Sequence, residues 1–378
     1  VRILFWSTTF LPTLGGAEVL GFELARALHQ RGHDVGVLAN VPIEAGLAPT
    51  ESVDGVEIRR FAITAALLTG DPGRILRMKQ AVSRFKAEFA PDVVHVLLFG
   101  LELVVHRLTA ASEPVPEVAT LQQPVIPLYQ RPKSHVGATL RAARWLVAPS
   151  EAALVSYREA IPGIEAKSSV ILNSLPLPSV EPTPPPADGG IVCVGRLEVQ
   201  KGFDLAIAAL ARLRPSHPAL RLVIAGDGPA RPALERQAAM LGVAEAIGFV
   251  GWVPPGEVPR LLQSASVVVM PSRDHELFGL VALQAAQVGR PVVASALGGL
   301  REVVVDGATG LLIPPESEDA LASAVAELLD DPEGAAEMGR SARRRASALF
   351  GWDRFVEAYE RVYWRVASAE ETSDSRVT

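Results

Sequence analysis

The chain has 378 residues, 49% of them hydrophobic and 21% charged, which is too long for one core and enough for two domains of ordinary size. A formal net charge of -6 leaves no excess of Lys and Arg to neutralise phosphates, so a nucleic-acid partner is not expected. The single cysteine, Cys193, excludes an intramolecular disulfide, no apolar run reaches membrane-spanning length, the start VRILFWSTTF lacks the pattern of a secretory leader, and no His or Cys cluster has metal-ligand spacing. The expectation is a cytoplasmic protein without a bound metal.

The first predicted unit is a strand from Arg2 to Trp6, a loop with Pro12, Gly15 and Gly16, and a helix from about Ala17 to Arg31 bearing Leu20, Leu24, Ala27 and Leu28 at helical spacing. Gly32 ends that helix before a strand from Asp34 to Ala39. Gly15 and Gly16 leave room for a ligand at the helix start, although GGAE is not the dinucleotide fingerprint. A helix from Gly73 to Phe89 places Ile75, Met78, Val82, Phe85 and Phe89 on one face, with Arg74, Arg77, Lys79, Arg84 and Lys86 elsewhere around it. Packing on its own sheet with a solvated basic face is one reading of it, and weak peripheral association with the cytoplasmic face of an anionic membrane is the other. Short strands are predicted at Val93 to Leu97, Val118 to Leu121 and Trp145 to Ala148, the last running into Ser150 as a helix cap.

Between Leu175 and Gly190 the sequence is proline-rich and without periodicity, as a linker would be. Alternation then resumes with the strand Ile191 to Val194, the loop GRLEVQKG, a helix from Phe203 to about Arg214, the strand Leu220 to Ala225 and a second glycine loop. Strands alternating with helices in both halves predict two doubly wound α/β domains. Further on, Val267 to Met270 reads as a buried strand, followed by a polar loop, a helix from Phe278 or Gly279 to about Gly289, and a strand from Pro291 to Ala294. Such a loop opens at the carboxyl edge of a parallel sheet, where ligands bind. There the unpaired N–H groups at the helix start can hold an anion, and Glu276 either favours that helix end or accepts from the hydroxyls of a sugar on a phosphate. Likewise Arg196 and Lys201 in GRLEVQKG are either solvated or converge on one pyrophosphate. A final helix from Trp352 to about Ala367 carries Phe355, Val356, Tyr359 and Val362 on its apolar face, with a tail expected to be disordered.

Four segments in order, RILFWSTTFLPTLGGAE with RGHDV, then GRLEVQKG, ELFGLVALQAAQVGRPVVAS and GGLREVVVDGATGLL, resemble glycosyltransferase family 4 over nearly the whole chain. The resemblance implies a GT-B fold: two facing Rossmann-like domains, 1–175 for the acceptor and 191–350 for the donor, joined by 176–190, with a helix at 351–367 crossing back and a tail at 368–378. It implies a retaining, metal-independent transfer of the hexosyltransferase type, with no cofactor beyond a UDP-, GDP- or ADP-sugar as substrate and a glycan, lipid-linked or small-molecule acceptor. By position, Arg196 and Lys201 would hold the diphosphate and Glu276 the donor sugar. Leu277, Phe278, Gly279 and Leu280 would lie at the phosphate and sugar, and Gly15 and Gly16 would face the donor. Two positions depart from the family pattern: Gln284 stands where a second Glu is usual, eight positions after Glu276, and Gln122 where a His is frequent. Both remove a titratable group, although the leaving phosphate can take the acceptor proton without a protein base. The two departures keep open a catalytically silent nucleotide- or glycan-binding relative, and the shared architecture keeps open a nucleotide-sugar epimerase.

Overall fold

A computed structural model describes residues 1–12, 15–41, 46–110, 114–131, 134–186 and 190–368, so the tail beyond 368 lies outside the described residues. The chain divides into two compact units: unit 1 is Val1–Leu172 with the C-terminal segment that begins at Asp353, and unit 2 is Asn173–Trp352.

Unit 1 runs β1 (Arg2–Ser7), α1 (Gly16–Gln30), β2 (Asp34–Asn40), β3 (Thr50–Val53), β4 (Val56–Phe61), α2 (Ile63–Leu68), α3 (Pro72–Phe89), β5 (Val93–Val96), α4 (Leu103–Ala110), β6 (Glu117–Thr120), α5 (Pro127–Gln130), α6 (His135–Ala142), β7 (Trp145–Ala148), α7 (Glu151–Ala160) and β8 (Ser168–Val170). Its sheet has the order β3-β4-β2-β1-β5-β6-β7-β8, parallel except for the β3–β4 hairpin. β1 reads as a continuous apolar run because both of its faces are covered, and five of its six residues are buried. The helices start where the sequence supplies caps: Asp71 accepts from Gly73 N at 2.8 Å before α3, and Ser150 accepts from Ala153 N at 3.0 Å before α7.

One cation of α3 behaves differently from the sequence expectation. Lys86 is buried, donating to Thr109 Oγ1 at 2.9 Å, lying 3.3 Å from His106 Nδ1 and sitting over the Trp6 ring. His106 Nε2 in turn lies 3.2 Å from Glu117 Oε1. Burial is tolerated because the ammonium has polar partners inside the apolar shell.

Unit 2 runs β9 (Ile191–Val194), α8 (Phe203–Leu213), β10 (Leu222–Ala225), α9 (Arg231–Met240), β11 (Ile247–Gly251), α10 (Val258–Gln263), β12 (Val267–Met270), α11 (Leu280–Gln287), β13 (Val292–Ser295), α12 (Leu300–Val303), β14 (Gly310–Ile313), α13 (Glu318–Asp330) and α14 (Pro332–Leu349). Its sheet is fully parallel in the order β11-β10-β9-β12-β13-β14. The core is apolar, with Ile191, Cys193, Leu222 and Ile224 of the sheet packed under Leu210 of α8 and Leu321 and Val325 of α13. The proline-rich stretch contains no helix or strand among its described residues, and it is fastened along unit 2. Gln287 Nε2 donates to the Leu175 carbonyl at 3.0 Å, Arg290 to the Thr183 carbonyl at 2.6 Å and Ser266 Oγ to the Pro186 carbonyl at 2.5 Å. Those bonds place the unit boundary before the prolines, at Asn173.

The last helix, α15 (Trp352–Ser368), packs on unit 1 through Phe355, Val356, Tyr359, Tyr363 and Val366. Tyr363 replaces Val362 in the expected buried face, because its hydroxyl meets His95 Nδ1 at 2.7 Å inside the sheet. Arg31 and His33 hold the same helix from outside through Glu360, at 2.8 and 3.0 Å.

Candidate active site

In unit 2 the strand order reverses at β9, whose neighbours are β10 on one side and β12 on the other. The loops leaving the carboxyl ends of β9 and β12 therefore diverge from adjacent strands and open a crevice between them. They are residues 195–202, with Arg196 and Lys201, and residues 271–279, with Glu276. The sheet thus brings together two loops far apart in sequence. Gly202 lets them close: at φ 67 its backbone lies so near Pro271 that a Cβ would stand 2.0 Å from the Pro271 carbonyl oxygen.

At the meeting point Lys201 Nζ lies 2.9 Å from Glu276 Oε2. The same oxygen accepts from Ser272 Oγ at 2.9 Å, and Ser272 is buried. The Glu276 carbonyl accepts from Gly299 N at 2.9 Å, so the Gly298-Gly299 turn fixes the backbone beneath this carboxylate. Glu276 is 12% exposed and Lys201 27%, a partly dried pair. An ammonium has three donors and a carboxylate two acceptor oxygens, so beyond this contact the pair can still donate to an anion and accept from a hydroxyl. Arg196 stands at the rim, 69% exposed, with its guanidinium 3.1 Å from Glu198.

The helix after this loop begins at Leu280, one or two residues later than the sequence pattern implies, because Gly279 takes a left-handed φ of 99 that ends the extended loop. The unpaired first-turn amides are thus those of Leu280, Val281 and Ala282. They point toward the loop as an anion-binding end, with the dipole favouring negative charge. Leu277 lies in the loop before them. The Phe278 side chain is buried against Phe350, ring centroids 5.6 Å apart, and anchors the loop. Gln284 is half-buried on α11, one turn beyond its first residue.

In unit 1 Gly15 and Gly16 follow β1 at the corresponding reversal, where β1 lies between β2 and β5, and Gln122 follows β6, one strand beyond β5. Gly15 is the N-cap of α1 and its N–H donates to Glu18 Oε2 at 3.1 Å, while Thr9 Oγ1 donates to Glu18 Oε1 at 2.6 Å. Gln122, half-buried after β6, lines a small cleft with Ala17, Gly21, Leu97 and Thr120. Across the same edge Thr8 Oγ1 donates to Glu102 Oε1 at 2.6 Å, and burial raises the Glu102 carboxyl pKa above the usual range.

Sequence reasoning passes over Ser272, Arg273, Asp204 and Glu316. Arg273 donates to Asp204 Oδ1 at 2.6 Å and to Oδ2 at 2.5 Å, and its Nε lies 2.9 Å from Glu316 Oε1. The Asp204 bonds hold the guanidinium pKa above its ordinary value. Polar residues in loops carry no periodic signal, and these partners are distant in sequence, so nothing local reveals the pairing.

The family description "Glycosyltransferase Family 4" matches residues 14–177, and "Glycosyl transferases group 1" matches residues 182–345. A glycogen synthase of Mycobacterium tuberculosis is 34% identical over 100% of this chain and 98% of its own length. A D-inositol 3-phosphate glycosyltransferase of Kineococcus radiotolerans is 32% identical over 96% of this chain and 94% of its own. Among solved structures, sucrose-phosphate synthase from Thermosynechococcus elongatus superposes with a TM-score of 0.83 at 22% identity, covering 98% of this chain and 100% of that one. Anabaena HepE in complex with UDP-glucose superposes with a TM-score of 0.75 at 22% identity, covering 97% and 99%. The two parallel-sheet units have the GT-B fold, and the chain belongs to glycosyltransferase family 4, the nucleotide-sugar glycosyltransferases.

Proposed function

We propose that the protein moves a hexosyl group from a nucleoside diphosphate sugar to an acceptor hydroxyl, retaining the anomeric configuration and using its own cations where other enzymes use a metal. The contact that carries the reading is Lys201 Nζ to Glu276 Oε2, 2.9 Å, beside the start of α11 at the strand-order reversal. It sets a cation for phosphate next to a carboxylate for hydroxyls, the two needs of a sugar diphosphate.

In this reading Lys201 and Arg196 donate to the diphosphate, and the amides of Leu280, Val281 and Ala282 add their partial charge. The bond between the anomeric carbon and the β-phosphate oxygen breaks, the acceptor oxygen bonds to that carbon on the same face, and the departing phosphate takes the acceptor proton. Negative charge builds on the phosphate as the bond opens, so preorganised cations and amides act where they lower the barrier. The second carboxylate oxygen of Glu276 accepts from a hydroxyl of the donor sugar, and Gln284 contacts the ribose. On unit 1, taken by itself, Gly15, Gly16 and Gln122 are the proposed substrate-binding residues.

HepE was solved with UDP-glucose, which makes UDP-glucose the first donor to try, followed by GDP- and ADP-sugars. The test is transfer in the presence of a chelator, with the linkage of the product read by NMR. A product with the donor's anomeric configuration supports the reading; an inverted product, or turnover that stops on chelation and returns with a divalent metal, overturns that part of it. No helix among the described residues is long and apolar enough to cross a membrane. Weak contact with an anionic bilayer is supported at the α2–α3 corner, where Leu68 and Leu76 are exposed beside Arg74 and Arg77. Co-sedimentation with phosphatidylglycerol vesicles, lost in Arg74→Glu with Arg77→Glu, is the expected outcome.

A further inference from the structure

Three loops at the carboxyl edge of unit 2 meet on one guanidinium. Arg273, in the loop after β12, donates to both carboxylate oxygens of Asp204 in the first turn of α8, at 2.6 and 2.5 Å, and to the Val199 carbonyl at 3.0 Å. Its backbone N–H donates to the Gln200 carbonyl at 2.8 Å. Its Nε faces Glu316 Oε1 at 2.9 Å, in the connection between β14 and α13. Glu316 takes a left-handed φ of 62, a conformation unfavourable for a residue with a side chain, with its carboxylate on Arg273. The Arg273 side chain is only 19% exposed, although its outer partner Glu316 is 59% exposed, so the Asp204 fork is the better shielded arm.

The placement of the fork matters more than its strength. Arg273 stands three residues before Glu276, and Asp204 three residues after Lys201. The Arg273–Asp204 fork therefore runs alongside the Lys201–Glu276 contact and joins the same two segments. Two parallel N–H···O bonds fix the distance and the angle between loops, which one ammonium contact alone cannot do.

We infer that Arg273 is a positioning residue for the transfer reaction: it sets the spacing of Lys201 and Glu276 by clamping the loop after β12 to the start of α8 and to the loop before α13. The inference rests on the roles proposed above for Lys201 and Glu276. Arg273 itself touches no substrate in this account. It acts through that pair, and its loss is felt in the chemical step more than in donor capture.

The test is a double-mutant cycle of Arg273→Lys with Lys201→Ala, read as release of nucleoside diphosphate from UDP-, GDP- and ADP-glucose, with melting temperature measured alongside. Lysine keeps the charge but cannot reproduce the fork, so Arg273→Lys should fold. Its kcat should fall about tenfold to a hundredfold, the scale of a small misplacement of reacting groups, with a much smaller change in donor KM. In the Lys201→Ala background the same change should have almost no further effect, because the contact it positions is already gone. Glu316→Gln, which weakens only the outer arm, should lower kcat in the same direction by a smaller factor. If the wild type is active but the two losses multiply, or if Arg273→Lys lowers the melting temperature and leaves kcat intact, Arg273 is a structural clamp only and the inference is overturned. A wild type that releases no diphosphate from any of the three donors removes instead the reading of the site on which it rests.

Discussion

Both units reverse their strand order at a central strand, β1 in unit 1 and β9 in unit 2, and both tie the loops at that reversal to each other with side chains. In unit 1 the tie is a hydroxyl on a carboxyl, Thr8 to Glu102, and Thr9 to Glu18 closes the first of those loops onto its own helix. In unit 2 they are cations on carboxylates, Lys201 to Glu276 and Arg273 to Asp204. The interiors differ in the opposite sense. Among the described residues unit 1 buries His95, His106 and Glu117 beside Lys86, whereas the charged side chain that unit 2 buries is Arg290, whose guanidinium does not titrate in acid. One strand order thus carries two kinds of loop contact, and the anion-binding role proposed for unit 2 belongs to its loops and not to the fold.

The sharpest way to break this contrast is to remove the charge at position 276. Glu276→Gln should lower turnover by about a hundredfold to a thousandfold, the usual effect of losing one preorganised electrostatic contact, and leave affinity for free nucleoside diphosphate nearly unchanged. Steady-state kinetics beside calorimetry of the diphosphate would show whether the loss lies in the chemical step.

Next in size is the acid response of the two cores. Burial pushes the His95 pKa down to about 3, against about 6.5 in an unfolded chain. As pH falls below about 6.5 the unfolded state takes the proton and the folded state does not, so stability declines toward pH 3 by about 1.4 kcal/mol per pH unit from this group. Hydrogen exchange should accordingly show unit 1 losing protection at a higher pH than unit 2, and His95→Gln should flatten that decline. Equal acid sensitivity in the two units would contradict the contrast between their cores.

The smallest expected effect is at position 284. Gln284→Glu should tighten nucleoside diphosphate by about 1 kcal/mol if that residue meets the ribose, since a carboxylate accepts more strongly than an amide. Calorimetry would detect that as an approximately fivefold change. A weaker complex would mean that Gln284 serves a contact to which only its amide can donate.

Much of this was legible in the chain because buried parallel strands read as short apolar runs such as VVVM, and because each site loop directly follows one of them. Arg196, Lys201 and Glu276 could be singled out by their place after a strand. The meeting of Lys201 with Glu276 depends on β9 and β12 lying side by side, which no local pattern states. The Arg273 clamp was illegible for the same reason, since its partners Asp204 and Glu316 lie on other loops. The charge of Lys86 points to solvent, whereas its helical spacing from Val82 puts it on the buried face of α3. Apolar Phe278 continues the helical pattern of α11 in the sequence, whereas the left-handed Gly279 delays the helix to Leu280.

The central claim, that the loop after β9 holds a diphosphate, is tested most directly by titrating UDP and uridine, with the GDP and ADP pairs in parallel, into the wild type and Lys201→Ala. For the preferred base, the diphosphate should bind the wild type far more tightly than its nucleoside. Lys201→Ala should weaken the diphosphate by about 1.5 to 3 kcal/mol, the worth of a charge-assisted hydrogen bond, and leave the nucleoside unchanged. A variant that binds the diphosphate as tightly as the wild type, or that loses diphosphate and nucleoside equally, would contradict the account.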